Sequence, residues 1–373
     1  MTDAGITQPR PAVYMETDQN NLADGGRPAA EETSAMASTR YSETITVEPL
    51  AVGEEEQWAE FLAESGSGTL FHDLRFLAYH PPKRFDFRHL VMRRRGTIIA
   101  LLPGGIVESD GERLFVSPLG ASVGGPVISP KLDGRGTLTL VEALQSYAVT
   151  ERWDGLRIIV APPIYDRYHS QTLSFALFSR GFQLENRWLC HSIPLEGSLD
   201  ERYKKLFRQS QASRVRAQLR EGLTTTEGGI DRLGAFLSVF HDTYDRHGVK
   251  PRHTPEEIGD LLRRLPDRVR IHLAMLGDVP TAGILTFILN SHIAYTFYIC
   301  ISTEYARESG SVLAFAALID RLARQGYQWI DLGPSAQRSR FNNGVAFFKE
   351  GLGAIGYCRD QWYWPTSREL DGR

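Results

Sequence analysis

Cysteines, long apolar runs and an excess of one charge are all scarce in this chain of 373 residues. Its three cysteines, Cys190, Cys300 and Cys358, lie far apart and form no C-x-x-C pair. This argues against a disulfide scaffold or a structural zinc site and favours a reducing compartment. No apolar run approaches the roughly 18 residues of a membrane helix, and the N-terminus lacks a basic-then-apolar signal pattern. We therefore predict a cytoplasmic protein without a transmembrane segment.

A strong overall charge and metal-ligand spacing are also missing. The formal net charge is only -3, so no global field favours DNA as a partner. The histidines His241, His247, His253 and His272 are scattered without ligand spacing, which argues against a metal site. We predict no metal and no permanently bound cofactor.

The composition that remains is ordinary for a soluble globular protein, with 42% hydrophobic, 23% charged and 10% aromatic residues. Its length favours two domains over one. Residues 1–42 are polar and aperiodic, which predicts a disordered leader. We place an N-terminal unit at 43–190, a C-terminal unit at 191–365 and a short tail at 366–373.

The two predicted units show the same order of elements: strand, hairpin strand, strand, helix, strand. In the second unit these are 270–275, 282–289, 292–300, a helix at 312–325 and 329–332. This order predicts an α/β (α+β) fold of two tandem units, with mixed central sheets flanked by helices. Sequence identity between the halves is low, so coincidence is the alternative, because such successions are common.

A cationic segment follows the connection that joins the halves at 181–195. Residues 203–222 predict a helix whose cations are Lys204, Lys205, Arg208, Arg214, Arg216 and Arg220. Such a helix is either a solvated amphipathic surface helix or a positive wall for phosphates.

The most informative stretch is 328–353. Trp329 to Leu332 predicts a buried strand that ends at Gly333-Pro334, since glycine and proline interrupt strands. A cationic loop follows, and then two phenylalanines precede Lys349, so we expect its ammonium near the surface of a cleft. Asp331 and Lys349 are the leading catalytic candidates. The alternatives are a carboxylate that caps the next turn and a lysine that caps a helix C-terminus.

The second half resembles the FemAB-type branch of the GNAT superfamily, which includes aminoacyltransferases and acyltransferases with a BioF2-like acetyltransferase domain. The resemblance rests on the order of the Arg-rich helix, Thr243-Tyr244-Asp245-Arg246-His247-Gly248, the hairpin at 277–283, Gly326 through Gly333, and Phe348-Lys349-Glu350-Gly351-Leu352-Gly353. The first half fits the degenerate N-terminal unit of the same family.

The resemblance implies transfer of an acyl or aminoacyl group to an amine or hydroxyl. Lys349 would then line the acceptor site and bind phosphate or stabilise an oxyanion, and Asp331 would orient a cation or accept a proton. The substrate-binding residues predicted with them are Arg246, Tyr244, Arg340, Arg214 and Tyr298.

A coenzyme A loop is only partly present before the helix at 312–325. The R/Q-x-x-G-x-G/A pattern is matched at Arg307 and Gly310, while Val312 stands where glycine or alanine is expected. We predict Arg307, Gly310 and Ser311 as the residues that bind acetyl-CoA or another acyl-CoA as co-substrate.

Three functional hypotheses follow. The first is acyl transfer from acyl-CoA to a phosphate-bearing, sugar or peptide precursor of the cell envelope or a polysaccharide. The second changes the donor to aminoacyl-tRNA, although no long heptad run for a coiled-coil arm is present. The third is a catalytically silent tandem scaffold.

Overall fold

The computed structural model describes residues 44–81, 83–197, 201, 207–248, 250–305, 310–337 and 340–366. The predicted leader and the predicted tail beyond Thr366 lie outside these residues.

The described chain alternates short strands and helices. The strands are β1 (Ile45–Pro49), β2 (Asp86–Phe87), β3 (Leu90–Arg94), β4 (Thr97–Leu102), β5 (Gly105–Ser109), β6 (Glu112–Ser117), β7 (Val127–Ile128), β8 (Gly155–Val160), β9 (Gln183–Pro194), β10 (Leu223–Gly228), β11 (Val269–Leu276), β12 (Val279–Ile288), β13 (Ile293–Ile301), β14 (Trp329–Gln337), β15 (Arg340–Phe341) and β16 (Ile355–Pro365). The α-helices are α1 (Glu55–Glu64), α2 (Leu74–Leu77), α3 (Gly134–Thr150), α4 (Thr172–Ser179), α5 (Gln209–Arg220), α6 (Leu233–His247), α7 (Pro255–Arg264), α8 (Ser311–Arg324) and α9 (Asn343–Gly351). None of these helices is long and apolar enough to cross a membrane.

One large mixed sheet organises the fold, in the order β10-β11-β12-β13-β14-β9-β16-β8-β6-β5-β2, with β15 paired to β14. A smaller sheet has the order β1-β3-β4-β7. Neighbouring residues of β11 point to opposite faces, so that Leu273 packs in a core with α6 and α7 while Ala274 packs in a core with α8. The predicted α/β class, a mixed sheet flanked by helices, is confirmed.

Both halves contain a parallel pair joined by a helix: β6 and β8 through α3, and β13 and β14 through α8. The predicted helix before β14 is confirmed because Val312, Phe315 and Ile319 recur at helical spacing and are buried. The predicted boundary between 190 and 191 falls inside β9, and the division into two units stays a prediction.

The connection expected at 181–195 is instead a central strand. Strand β9 pairs with β14 on one side and β16 on the other. The first residues of β9 are mostly exposed, and most of its last residues are buried. Its sequence is therefore mixed polar and apolar and does not show the alternation that indicates a strand.

The prediction that the strand after Trp329 ends at Gly333-Pro334 is wrong. Strand β14 continues to Gln337, and its register with β9 shifts between Asp331 and Pro334. Gly333 has a φ of 75°, which a glycine adopts readily, so the chain bulges there and then resumes pairing.

A capping box at the start of α7 allows a direct test of the local structure. Thr254 Oγ1 accepts a hydrogen bond from the Glu257 amide at 3.2 Å, and the Glu257 carboxylate accepts one from the Thr254 amide at 2.8 Å. We expect Thr254→Ala to lower the free energy of unfolding by about 1 kcal/mol. Thr254→Ser keeps the oxygen and is the control. Equal urea midpoints for the two variants would contradict the assigned cap.

Candidate active site

Asp331 is a buried carboxylate at the point where β13 and β14 separate. The two strands pair only through Ile293–Tyr295 and Trp329–Asp331. Asp331 is 1% exposed; its Oδ2 accepts a hydrogen bond from the Tyr165 hydroxyl at 2.7 Å and its Oδ1 accepts one from the Gly333 amide at 2.6 Å. Burial raises the pKa of Asp331, and these two hydrogen bonds oppose the shift.

Lys349 approaches the same bulge from α9. Its Nζ donates to the carbonyl oxygens of Gly333 at 2.8 Å and Pro334 at 3.0 Å. The expectation that this ammonium lies near the surface of a cleft is wrong, because the residue is only 4% exposed. Burial lowers the pKa of Lys349 to about 8, against the opposing effect of the Asp331 charge.

A cavity of about 1010 Å³ opens on the other side of the bulge. Pro334, Ser335 and Ala336 form part of its wall, whereas Asp331 and Lys349 are not among its lining residues. The two leading candidates therefore lie behind the wall and fix the backbone that faces the cavity.

The cavity combines aromatic rings with positive charge. Its cations are Arg84, Lys250, Arg252, Arg340 and Arg359, and its rings include Phe71, Phe76, Phe85, Trp188, Tyr295 and Phe297. No Asp or Glu occurs among the lining residues of the described chain. Such a site favours a ligand that carries negative charge.

A chain of hydrogen bonds crosses one wall of this cavity. His253 Nε2 lies 2.6 Å from the Tyr79 hydroxyl, and His253 Nδ1 lies 2.7 Å from the Tyr298 hydroxyl. Burial lowers the pKa of His253 to about 4, so the imidazole is neutral near pH 7 and has one N–H. One tyrosine consequently donates to the ring, and the other accepts from it and keeps its own proton for a further acceptor.

The structure brings together some of the predicted substrate-binding residues. Tyr244, Tyr298 and Arg340 line the cavity, and the rings of the two tyrosines meet edge to face with centroids 5.9 Å apart. Arg214 on α5 and Arg246 on α6 are exposed and are not among its lining residues.

The predicted donor loop is described only in part, because Arg307 lies outside the described residues. Gly310 caps α8, and Ser311 begins it and is buried. A Cβ on Gly310 would lie 2.3 Å from the Cβ of Ala274, so only glycine fits at the start of this helix.

Sequence analysis missed other groups at the site, among them Tyr165, His253, Ser335 and Arg359. Tyr165 lies 166 residues before the carboxylate to which it donates. No local spacing connects such residues, and only the order of strands in the sheet brings them together.

Comparison with known proteins identifies the class. Residues 203–347 match the family model of an acetyltransferase (GNAT) domain. The chain therefore carries a GNAT acetyltransferase domain and is an acyltransferase, as predicted. No curated protein sequence matches the chain.

Solved structures share the fold of this chain, among them one with a name from the FemAB-type branch that the sequence resembles. The crystal structure of FemX has a TM-score of 0.67 and 12% identity, over 85% of this chain and 97% of that chain. The C-terminal domain of a putative lysylphosphatidylglycerol synthetase from Agrobacterium fabrum has a TM-score of 0.54 and 13% identity, over 83% and 91%. L-PGS from Bacillus licheniformis has a TM-score of 0.53 and 14% identity, over 87% and 94%. At these identities the likeness establishes the fold.

The electrostatic coupling of Lys349 to Asp331 can be measured directly. We expect the ¹³Cε resonance of Lys349, identified by its loss in Lys349→Arg, to titrate with a midpoint near pH 8. Because the Asp331 charge raises the pKa of Lys349, Asp331→Asn should move that midpoint to lower pH.

The matched control is Asp278→Asn, at an exposed hairpin turn. It should leave the Lys349 midpoint unchanged. A midpoint near 10.5, or one that does not respond to Asp331→Asn, would contradict the buried arrangement.

Proposed function

We propose that this acyltransferase moves an acyl group from acyl-CoA to an amine or hydroxyl of an anionic precursor of the cell envelope or of a polysaccharide. The observation that carries the proposal is the separation of β13 and β14 beside a large cationic cavity. The positive charge of the cavity favours an anionic acceptor. The gap between the separated strands favours a donor that meets the acceptor where β13 and β14 diverge.

The donor side rests on backbone groups. Beyond Tyr295 and Asp331, β13 and β14 do not pair with each other. Strand β15 covers this edge of β14 at Ala336 and Gln337, so the edge left without a strand partner among the described residues is that of β13. Main-chain groups on such edges can bind an extended amide-containing arm as an added strand would bind. Helix α8 follows β13, and the amides and dipole of a helix N-terminus favour phosphate.

The chemistry needs a fixed donor carbonyl and a route for one proton. The acceptor nitrogen or oxygen bonds to the thioester carbon, the carbon–sulfur bond breaks, the coenzyme A thiolate leaves and the acceptor gives up a proton. Ser335 lines the cavity, and its buried Oγ has no hydrogen-bond partner among the described residues, so this hydroxyl is our candidate donor to the developing oxyanion. Lys349 and Asp331 act as positioning residues that hold Ser335 in place.

Aminoacyl-tRNA is the second candidate donor, and one observation favours it. Arg214, Arg216 and Arg220 on α5 are all exposed, and exposed cations on one helix attract a polyphosphate backbone. By contrast Arg208, next to this helix, contacts Glu350 at 3.1 Å and stacks on Phe347, so part of the predicted positive wall is neutralised.

A donor titration tests the proposal. We expect acetyl-CoA to raise the melting temperature saturably, because a ligand that binds only the folded state stabilises it. A non-acylated nucleotide should leave the melting temperature unchanged. In a thiol-release assay with pooled amine and hydroxyl acceptors, Lys349→Met should lower the rate about a hundredfold, because the clamp no longer holds the wall at Ser335 in place.

Lys131→Met, an exposed lysine, serves as the control and should behave as the wild type. Stabilisation by aminoacyl-tRNA but not by acetyl-CoA would transfer the proposal to the second donor. A protein that responds to neither donor, with Lys349→Met indistinguishable from wild type, would instead be a silent scaffold.

A further inference from the structure

Arg359 is a buried cation in the cavity wall with no assigned role. It lies on β16 opposite Trp188 of β9 and is 8% exposed. Its guanidinium lies over the Trp188 ring at 4.8 Å from the ring centroid, and both residues line the cavity. The stacking fixes the plane of the guanidinium at the cavity wall.

This guanidinium lacks a hydrogen-bonded anionic partner among the described residues. Its Nε is buried without a hydrogen-bond partner, and the Asp331 charge raises the pKa of Arg359 without a hydrogen bond between the two groups. Asp331 is the nearby buried carboxylate, but its two oxygens already accept from Tyr165 and Gly333. A buried charge without a partner raises the free energy of the folded protein. A ligand with a negatively charged group would therefore be stabilised at this site.

Other arginines on the same sheet show the usual solution. Arg187 of β9 contacts Asp360 with two bonds of 2.6 and 2.8 Å, and Arg157 of β8 contacts Glu185 with two bonds of 2.8 Å. Those pairs are partly exposed, whereas Arg359 is buried and faces the cavity. These two partly exposed arginines thus have carboxylate partners on neighbouring strands, whereas the buried Arg359 has no hydrogen-bonded carboxylate among the described residues.

A second unsatisfied polar atom lies on the same wall. Ser335 Oγ on β14 is buried without a described partner, and β14 and β16 flank β9. Backbones two strands apart are about 10 Å from each other. A ligand held by Arg359 would thus extend along the wall toward Ser335, where the proposed transfer takes place.

We propose that Arg359 binds a carboxylate of the acyl acceptor and thereby fixes its reactive group beside the bulge of β14. This inference rests on the proposed function and specifies its acceptor as a carboxylate-bearing molecule of amino-acid or peptide type. A single buried cation balances one negative charge, whereas a phosphate dianion would leave excess charge in a buried site. The planar fork of arginine also matches a carboxylate. Of the remaining cations at the cavity, Arg84 contacts Glu257 at 2.7 Å, and Lys250, Arg252 and Arg340 are exposed.

The test compares a peptide with its uncharged-terminus amide, and adds inorganic phosphate as a second kind of anion. The peptide alanyl-alanine, its C-terminal amide and inorganic phosphate are titrated at constant ionic strength, with melting temperature as the measure of binding. We expect the free peptide to bind about tenfold or more tightly than the amide. Arg359→Gln should abolish this difference, and Arg359→Lys should retain part of it.

The variants also separate a binding role from a structural one. Removal of an unpaired buried charge should leave the melting temperature of ligand-free Arg359→Gln equal to or above that of the wild type. A purely structural arginine, which stabilises through its stacking on Trp188, would lower it. The control Arg187→Gln, on the neighbouring strand and outside the cavity, should discriminate peptide from amide as the wild type does.

Three results would overturn the inference. The wild type could show equal melting-temperature shifts, or none, with peptide and amide. Arg359→Gln could still bind the peptide more tightly than the amide by the wild-type factor, or the wild type could bind phosphate as tightly as the peptide. Acetyl-CoA is titrated in parallel with all variants. A wild type that responds to acetyl-CoA without discriminating peptide from amide keeps the proposed transfer and refutes the carboxylate subsite. A wild type that responds to neither refutes both.

Discussion

The clamp on the bulge of β14 is the interaction on which the site depends. Asp331 accepts the Gly333 amide, and Lys349 donates to the Gly333 and Pro334 carbonyls. The positive φ of Gly333 turns these groups toward the two side chains. Gly333 and Pro334 interrupt the pairing of β14 with β9, and the clamp fixes the bulge that results and with it the position of Ser335 at the cavity wall.

The two charges of the clamp are tolerated because each has hydrogen-bond partners other than the opposite charge: Asp331 accepts from the Tyr165 hydroxyl and the Gly333 amide, and Lys349 donates to two backbone carbonyls. Among the described residues they form no direct ion pair; the bulge joins them. Burial raises the pKa of Asp331 and lowers that of Lys349, while each charge favours the charged form of the other. Loss of one group would thus change both the protonation of its partner and the position of the strand.

The sequence predicted what local patterns encode. Strands β11 to β13, helix α8 and the importance of the Asp331 and Lys349 region follow from apolar periodicity and from glycine and proline positions. The strand roles of β9 and β16 were missed because neither shows a regular alternation: β9 changes from exposed to buried along its length, and β16 is mostly exposed or half-buried with only Arg359 and Trp362 buried. The partnership of His253 with Tyr79 and the exposure of Arg359 to the cavity depend on sheet order, which no local spacing reveals.

The match to the acetyltransferase family ends at residue 347, but the site does not. Tyr165, which donates to Asp331, comes from the first half, while Lys349 and Arg359 come after the matched segment. Strand β16, the last strand of the described residues, pairs with both β8 and β9 and carries Arg359 into the sheet of the first half. The matched segment therefore holds only part of the candidate site. Both the clamp and the cationic cavity require the sheet that continues through the flanking parts of the chain.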